Sequence, residues 1–235
     1  MTVQLSGRLQ AIADLVTCRT VLADVGTDHA HLPVWLCETG KIKSAIAMDV
    51  RRGPLLRAEE SIRLAGLEDR IRLRLSDGLE QLRAGEADSI VIAGMGGILI
   101  RTILQKCPDR AASAKELILG PQSDSDQARR QSEVLHFRID REDFIKEDDK
   151  YYPLIHLIPG AEDAAYAEEE LFFGPCLLRD RNPVLKEYLV RQLRITGQIL
   201  EELKKHSTDS SRRRGEELGK EKRLLEAALN RYEML

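Results

Sequence analysis

The sequence predicts an α/β fold: a seven-stranded, doubly wound and mostly parallel sheet, followed by a C-terminal antiparallel helical hairpin. Three observations carry this. Short apolar runs of strand length alternate with helix-period segments up to about residue 135, the pattern of a parallel sheet covered by helices. Two further strand-like runs, near 138–145 and 151–158, flank an acidic turn. A closing hairpin of this kind puts the last strand antiparallel within the sheet. Beyond Pro183, Leu185, Leu189, Gln192, Thr196, Ile199 and Leu203 keep a three-four spacing, which Leu218, Leu225, Leu229 and Tyr232 resume after an interruption at 206–211. Two long helices packed on each other follow from that spacing.

The elements follow in order. Leu5, Leu9, Ile12 and Val16 recur at helical spacing and predict an opening helix before the first strand, 20–25. A short helix over 33–38 ends at Gly40, and 45–50 reads as the second strand. A helix over 54–65 stops at Gly66, a natural left-handed cap. The run 71–75 alternates with period two, whereas 89–93 and 116–119 are continuously apolar, as buried parallel strands are. Helices over 98–104 and 125–135 complete the alternation.

The chain has 235 residues, 43% of them apolar, enough for one full α/β domain and a smaller appendage. No apolar run approaches membrane-spanning length, and the N-terminus has no export-signal pattern, so a cytoplasmic protein is expected. Cys18, Cys37, Cys107 and Cys176 are far apart and form no CxxC, which predicts reduced, mostly buried thiols. His29 and His31 lie two apart with no third ligand nearby, so no metal is expected. The net charge of −3 hides an asymmetry: Arg179 to Leu235 carries 14 Lys/Arg against 10 Asp/Glu, or +4, leaving −7 on residues 1–178. The basic balance sits in the helical tail.

Chemistry gathers at the strand ends. The first strand closes on Asp24-Val25-Gly26, and the strand-end rim of an open α/β sheet is where ligands bind. The second ends in Asp49, placed to accept from both hydroxyls of a ribose. The third ends in Ser76-Asp77-Gly78, where the acid suits the exocyclic amine of an adenine and the glycine admits its ring. The fourth ends in Ala93-Gly94-Met95-Gly96-Gly97. Together these form a nucleoside-binding edge. A pyrophosphate needs G-x-G-x-x-G with free amides, whereas Gly26-Thr27-Asp28-His29-Ala30 carries an acid that repels phosphate. Asp28 instead complements an ammonium or a sulfonium, which points to S-adenosylmethionine.

The blocks Leu5-Ser-Gly-Arg-Leu9, Asp24-Val-Gly-Thr-Asp-His-Ala-His-Leu-Pro33, Ala93-Gly-Met-Gly-Gly97 and Phe173-Gly-Pro175, with the terminal helical pair, resemble the bacterial TrmK family over nearly the whole chain. The resemblance implies a Rossmann-like class I methyltransferase fold and methylation at N1 of an adenine, position 22 of tRNA. It places the cofactor domain at 1–160, a connector packed on it at 161–182 and the hairpin at 183–235. It also implies cofactor contacts at Asp24, Gly26, Thr27, Asp28, His29, Asp49, Asp77, Gly78, Ala93, Gly94, Met95 and Gly96. Arg8, in the matched opening helix, suits the methionine carboxylate. Where the family often has Gln-Pro-Asn after the fifth strand, this chain has Gly120-Pro121-Gln122, so the residue that steadies the target base is left open. Candidates for substrate contact are Pro121, Gln122, Tyr151 and Tyr152, the tyrosines having strand packing as the competing role.

N1 of neutral adenine has an in-plane lone pair, so alignment rather than a general base is expected to drive transfer, and no catalytic base is nominated. Trp35 is expected in the core, and Met95 either lines the methyl site or fills a gap. The Arg212, Arg213 and Arg214 run suits tRNA phosphates, with a solvated hairpin tip as the alternative. A small-molecule methyltransferase, another RNA-base methyltransferase and a non-catalytic coiled-coil adaptor remain as other readings, with a monomer as the expected assembly.

Overall fold

In the computed structural model, residues 3–161, 164–205 and 208–233 are described. The chain divides into two compact units, Met1–Asp163 and Ala164–Leu235. The first opens with α1 (Gly7–Leu15) and β1 (Val21–Val25), then α2 (His31–Glu38), β2 (Ser44–Asp49), α3 (Arg52–Ala65) and β3 (Ile71–Leu75). It continues through β4 (Ser89–Met95), α4 (Gly97–Lys106), α5 (Pro108–Ala112), β5 (Glu116–Pro121), α6 (Ser125–Val134), β6 (Phe137–Glu147) and β7 (Lys150–Pro159).

The seven strands make one sheet in the order β3-β2-β1-β4-β5-β7-β6. The first five are mutually parallel, and β7 is inserted antiparallel between β5 and β6. Hydrophobic continuity explains the centre: β1, β2 and β5 are buried along nearly their whole length, as strands covered on both faces must be. The edge strand β3 is only partly buried, matching its Arg-interrupted sequence. Gly66 ends α3 with φ of 65°, the left-handed cap read from the sequence. Pro153 lies beyond Ile155, where the pairing of β7 with β5 stops, so that side of the strand has become an edge.

Three details depart from expectation. The helix expected from Pro33 begins at His31, with Ala30 left-handed before it. A short α5, opened by Pro108, fills the stretch before β5. Residues 164–182 supply two short helices not expected from the sequence, α7 (Glu168–Phe173) and α8 (Pro175–Arg179), which pack on α10 of the second unit.

That second unit is completed by α9 (Pro183–Leu203) and α10 (Asp209–Glu233). Asn182 caps α9 by accepting from Val184 N at 2.9 Å and Leu185 N at 3.0 Å. The two helices pack on each other, and Tyr232 Oη donates to Asn182 O at 2.9 Å, bringing the end of α10 back to the start of α9. Leu185, Leu189, Thr196, Leu218 and Leu225 are buried, while Ile199 of the same series is exposed. The expected break at 206–211 is shorter, because α10 already begins at Asp209; His206 and Ser207 lie outside the described residues.

Trp35 packs against the core from a half-buried position, and Cys37, Cys107 and Cys176 are buried. A polar anchor holds the bottom of the sheet. Glu116, fully buried at the start of β5, accepts from Thr17 N at 3.0 Å, Cys18 N at 3.1 Å and the hydroxyls of Thr17 and Ser89. His156 Nε2 lies 3.0 Å from it, with Asp140 on the other ring nitrogen at 3.1 Å. The end of α1 is thereby tied to β4, β5 and β7.

Burial alone would raise the Glu116 pKa, but donors from His156, Ser89 and Thr17 outweigh it and hold the carboxyl at about 2. A carboxylate depressed on folding stabilises the native state above its unfolded value and loses that contribution as pH falls toward 2. Glu116→Gln should cost about 3 kcal/mol at neutral pH, seen as a melting temperature lower by roughly 6–12 °C. It should also flatten the fall in melting temperature between about pH 4.5 and 2.

Candidate active site

The strand order reverses between β1 and β4, so connections leave toward opposite faces and open a crevice at the strand ends. A cavity of about 320 Å³ occupies that crevice, within the range of small-molecule sites. Its walls come from the turn after β1, the start of α2, the end of β4, the residue after β5 and the N-terminal turn of α1.

The turn is made by Gly26 at φ of 81°. Its N–H and that of Thr27 both donate to Met48 O, at 2.8 and 2.9 Å, latching the end of β1 to β2. A Cβ on Gly26 would collide with Met95 Cε, so the methionine closes over the glycine. Met95 therefore fills the gap between β1 and β4, and it is Ala93 and Gly94 of that segment that line the cavity. Gly96 caps α4, and Gly97 packs too tightly against the Asp124 carbonyl to carry a side chain.

Four acids stand on this rim in different states. Asp24 lines the cavity, is 9% exposed, and has its pKa pushed up to about 6 by burial, with Asp49 adding repulsion. Asp49 is equally sequestered beside the cavity without lining it, and its Oδ1 accepts from Arg51 N at 2.7 Å. Asp77 is exposed and ion-paired with Lys106 at 2.9 Å. Asp28 lines the cavity mouth, ion-paired to Arg57, which holds its carboxyl below the usual range. At Gly78, Ile103 of α4 fills the space where a side chain would stand, leaving only backbone toward the rim.

Arg8 projects from the first turn of α1 into the cavity. Its backbone N–H donates to Glu147 Oε1 at 3.2 Å, and its guanidinium lies 5.0 Å from the centre of the Tyr152 ring. Arg8 Nε is buried with no hydrogen-bond partner among the described residues. An unpaired buried donor in a cavity wall is a demand for an anion or acceptor.

His29 also lines the cavity, its ring stacked on that of His31 at 5.1 Å between centroids. No group of His, Cys, Asp or Glu suited to a metal occurs among the described residues. Gln122 reaches the cavity from just past β5, whereas Pro121 is buried as the last residue of that strand. Because β7 runs antiparallel, its first residues arrive at this same rim. Tyr152 there supports Arg8, while Tyr151 stacks on Phe144 at 5.8 Å under Lys146; neither tyrosine lines the cavity. Arg212, Arg213 and Arg214 are exposed near the start of α10 in the second unit, Arg212 paired with Asp209 and Arg214 with Glu217.

Sequence reasoning missed Leu9, Ala30, His31 and Leu32 as cavity walls, although all lie inside or beside the blocks it singled out. It also passed over Val50, an apolar side chain left 60% exposed immediately after Asp49, and the similarly exposed Leu75 and Ile98. An apolar residue adjoining a strand-end acid was the available signal.

The family profile described as TrmK, tRNA (adenine(22)-N(1))-methyltransferase, matches residues 22–227. The tRNA (adenine(22)-N(1))-methyltransferase of Bacillus subtilis (strain 168) is 33% identical over 232 residues, covering 97% of this chain and 98% of that protein. Among solved structures, a Streptococcus pneumoniae protein in complex with S-adenosyl-L-methionine superposes with a TM-score of 0.85 at 31% identity, covering 96% of this chain and 100% of that one. The M. capricolum TrmK complex with S-adenosyl-homocysteine gives 0.84 at 27% identity, covering 97% and 98%. On the profile match and the near full-length similarity, the chain belongs to the TrmK family of tRNA (adenine(22)-N(1))-methyltransferases.

Proposed function

We infer that this chain transfers a methyl group from S-adenosylmethionine to N1 of the adenine at tRNA position 22, a reading that would have it act in the cytoplasm. The observation that carries this is the cavity at the β1–β4 switch point, which pairs a buried acid, Asp24, with a buried unpaired donor, Arg8 Nε. Those two groups match the ammonium and carboxylate of an amino acid, and the family match supplies the rest of the donor's identity.

The residues present fit this cofactor. Arg8 would take the methionine carboxylate and Asp24 the ammonium, with Gly26, Thr27 and His29 forming the floor of the turn. Asp28 would stand at the mouth, its pairing with Arg57 exposed and exchangeable. Asp49 would hold the ribose hydroxyls, and Asp77 with Gly78 the adenine edge, flanked by the exposed Val50. When bound, the cofactor supplies an electrophilic methyl on a sulfonium. The chain's task is then to align the nucleophile and exclude water, for which Ala93 and Gly94 would shape the wall nearest the target, with Met95 and Gly96 behind them.

For the tRNA, Gln122 stands in the cavity wall, and Pro121, Tyr151 and Tyr152 on the β5–β7 side are the further candidate contacts. The Arg212, Arg213 and Arg214 run would neutralise phosphates elsewhere on the substrate. Replacing all three with Ala should weaken tRNA binding and lower the slope of log affinity against log salt by up to about 2–3, while cofactor affinity stays unchanged. Fluorescence titrations over a salt series measure both.

Raising Asp24 to about 6 has a consequence for binding. The carboxylate that attracts an ammonium is present above pH 6 and is neutralised below it. Calorimetry should therefore show S-adenosylmethionine binding about tenfold weaker at pH 5 than at pH 7, a dependence that Asp24→Asn should abolish while weakening binding at pH 7. The reading as a whole is tested by incubating the protein with labelled S-adenosylmethionine and unmodified tRNA, then mapping the product by mass spectrometry. One methyl at N1 of adenine 22 is expected. No incorporation into any tRNA would overturn the reading.

A further inference from the structure

We propose that Gln122 selects the target adenine by its Hoogsteen edge, accepting from the N6 amine and donating to N7, an inference that rests on the N1 transfer proposed above. The reaction itself dictates which edge is available. N1 must face the methyl group, which commits the Watson–Crick edge, and the sugar side leads back into the RNA chain. Recognition is left with N6 and N7, a donor next to an acceptor. A carboxamide pairs with both at once, the bidentate match that distinguishes adenine from the other bases.

Gln122 is the one carboxamide among the residues that line the cavity. The alternatives fail on hydrogen-bond chemistry: an imidazole, as on His29 and His31, has its donor and acceptor nitrogens on opposite sides of the ring and cannot meet N6 and N7 together. Asp24 and Asp28 as carboxylates only accept and would repel N7, while Arg8 only donates and cannot receive the N6 proton. Thr27 belongs to the turn after β1, on the cofactor side.

Its backbone is held in place from both directions. The Gln122 N–H donates to Met95 O at 2.8 Å, and Pro121 before it pairs with Met95 in the sheet. On the other side Gly97 N donates to Ser123 O at 2.8 Å, with no room for a side chain between Gly97 and Asp124. The carboxamide makes no hydrogen bond among the described residues. Its Nε2 lies 4.0 Å from the position a Cβ on Gly94 would take, and Arg8 Nη1 lies 3.9 Å from the same point. Gly94 thus separates the arginine from the glutamine, leaving a bare backbone patch between the cofactor side and the base side.

The contact also acts during transfer. The S–CH₃ bond breaks with its electron pair left on sulfur, and the N1 lone pair forms the new N–CH₃ bond. No proton leaves, and the positive charge passes from sulfonium to the adenine ring. The N6 protons become better donors as that charge arrives, so the bond to Gln122 Oε1 strengthens toward the transition state. Guanine presents an oxygen where adenine has N6, so the carboxamide oxygen would face another acceptor.

The test uses the full chain with tRNA carrying 7-deazaadenine at the target position, in which N7 is replaced by C–H. That exchange does not make N1 a poorer nucleophile, so a loss of rate reports the contact. The wild-type protein should lose about tenfold in kcat/KM on this tRNA. Gln122→Ala should lose about tenfold or more on ordinary tRNA, part of it in kcat, with little further loss on the 7-deaza substrate. Full activity of the wild type on 7-deaza tRNA, or losses that multiply in the variant, would overturn the proposal. If Gln122→Ala fails to fold, the wild-type comparison decides alone. Failure of the wild type to methylate ordinary tRNA would overturn the underlying reading and this inference with it.

Discussion

The left-handed turn at Gly26 is the constraint on which the site depends. At φ of 81° the chain turns where a side chain would strike Met95 Cε, and two backbone N–H groups latch the turn to Met48 O. Any residue larger than glycine would meet backbone strain there and would also displace the end of the Met95 side chain. Because β1 is central and the strand order reverses beside it, this one tight turn keeps the crevice open and sets Asp24, Thr27 and His29 along one wall.

Electrostatics then differentiates the rim. Asp24 and Asp49 are buried near one another, and burial first, then their mutual repulsion, raises the Asp24 pKa. A cationic ligand group relieves that repulsion. Asp28 and Asp77 are instead exposed and paired with Arg57 and Lys106. Such pairs are screened by solvent, contribute little and exchange readily for a ligand. In the proposed function the buried acids would supply affinity, and the exposed pairs would hold their acids in place for the ligand. At the opposite end of the sheet the Glu116 anchor fixes the end of α1, the helix whose first turn carries Arg8.

Much of this architecture was legible in the sequence because parallel strands buried on both faces leave continuous apolar runs. The strand 71–75 was read to the residue, and 89–93 ran only two residues further. The short helices α5, α7 and α8 were missed, since five or six residues are too few to show a 3.6-residue period. Asp24, Gly26 and Gly94 were legible because a turn chemistry at a strand end is local. Glu116 was not: its role depends on Thr17, Ser89 and His156, which only the fold brings together. Gly78 has a further reason to be glycine that was illegible in the same way, since Ile103 fills the space a side chain there would need.

The measurement that tests this account most directly is a crystal structure of the protein with S-adenosylhomocysteine. The account predicts the amino-acid end between Arg8 and Asp24, with both ribose hydroxyls within hydrogen-bond distance of Asp49. A ligand bound away from the β1–β4 crevice, or one that leaves Arg8 and Asp49 without contact, would contradict it.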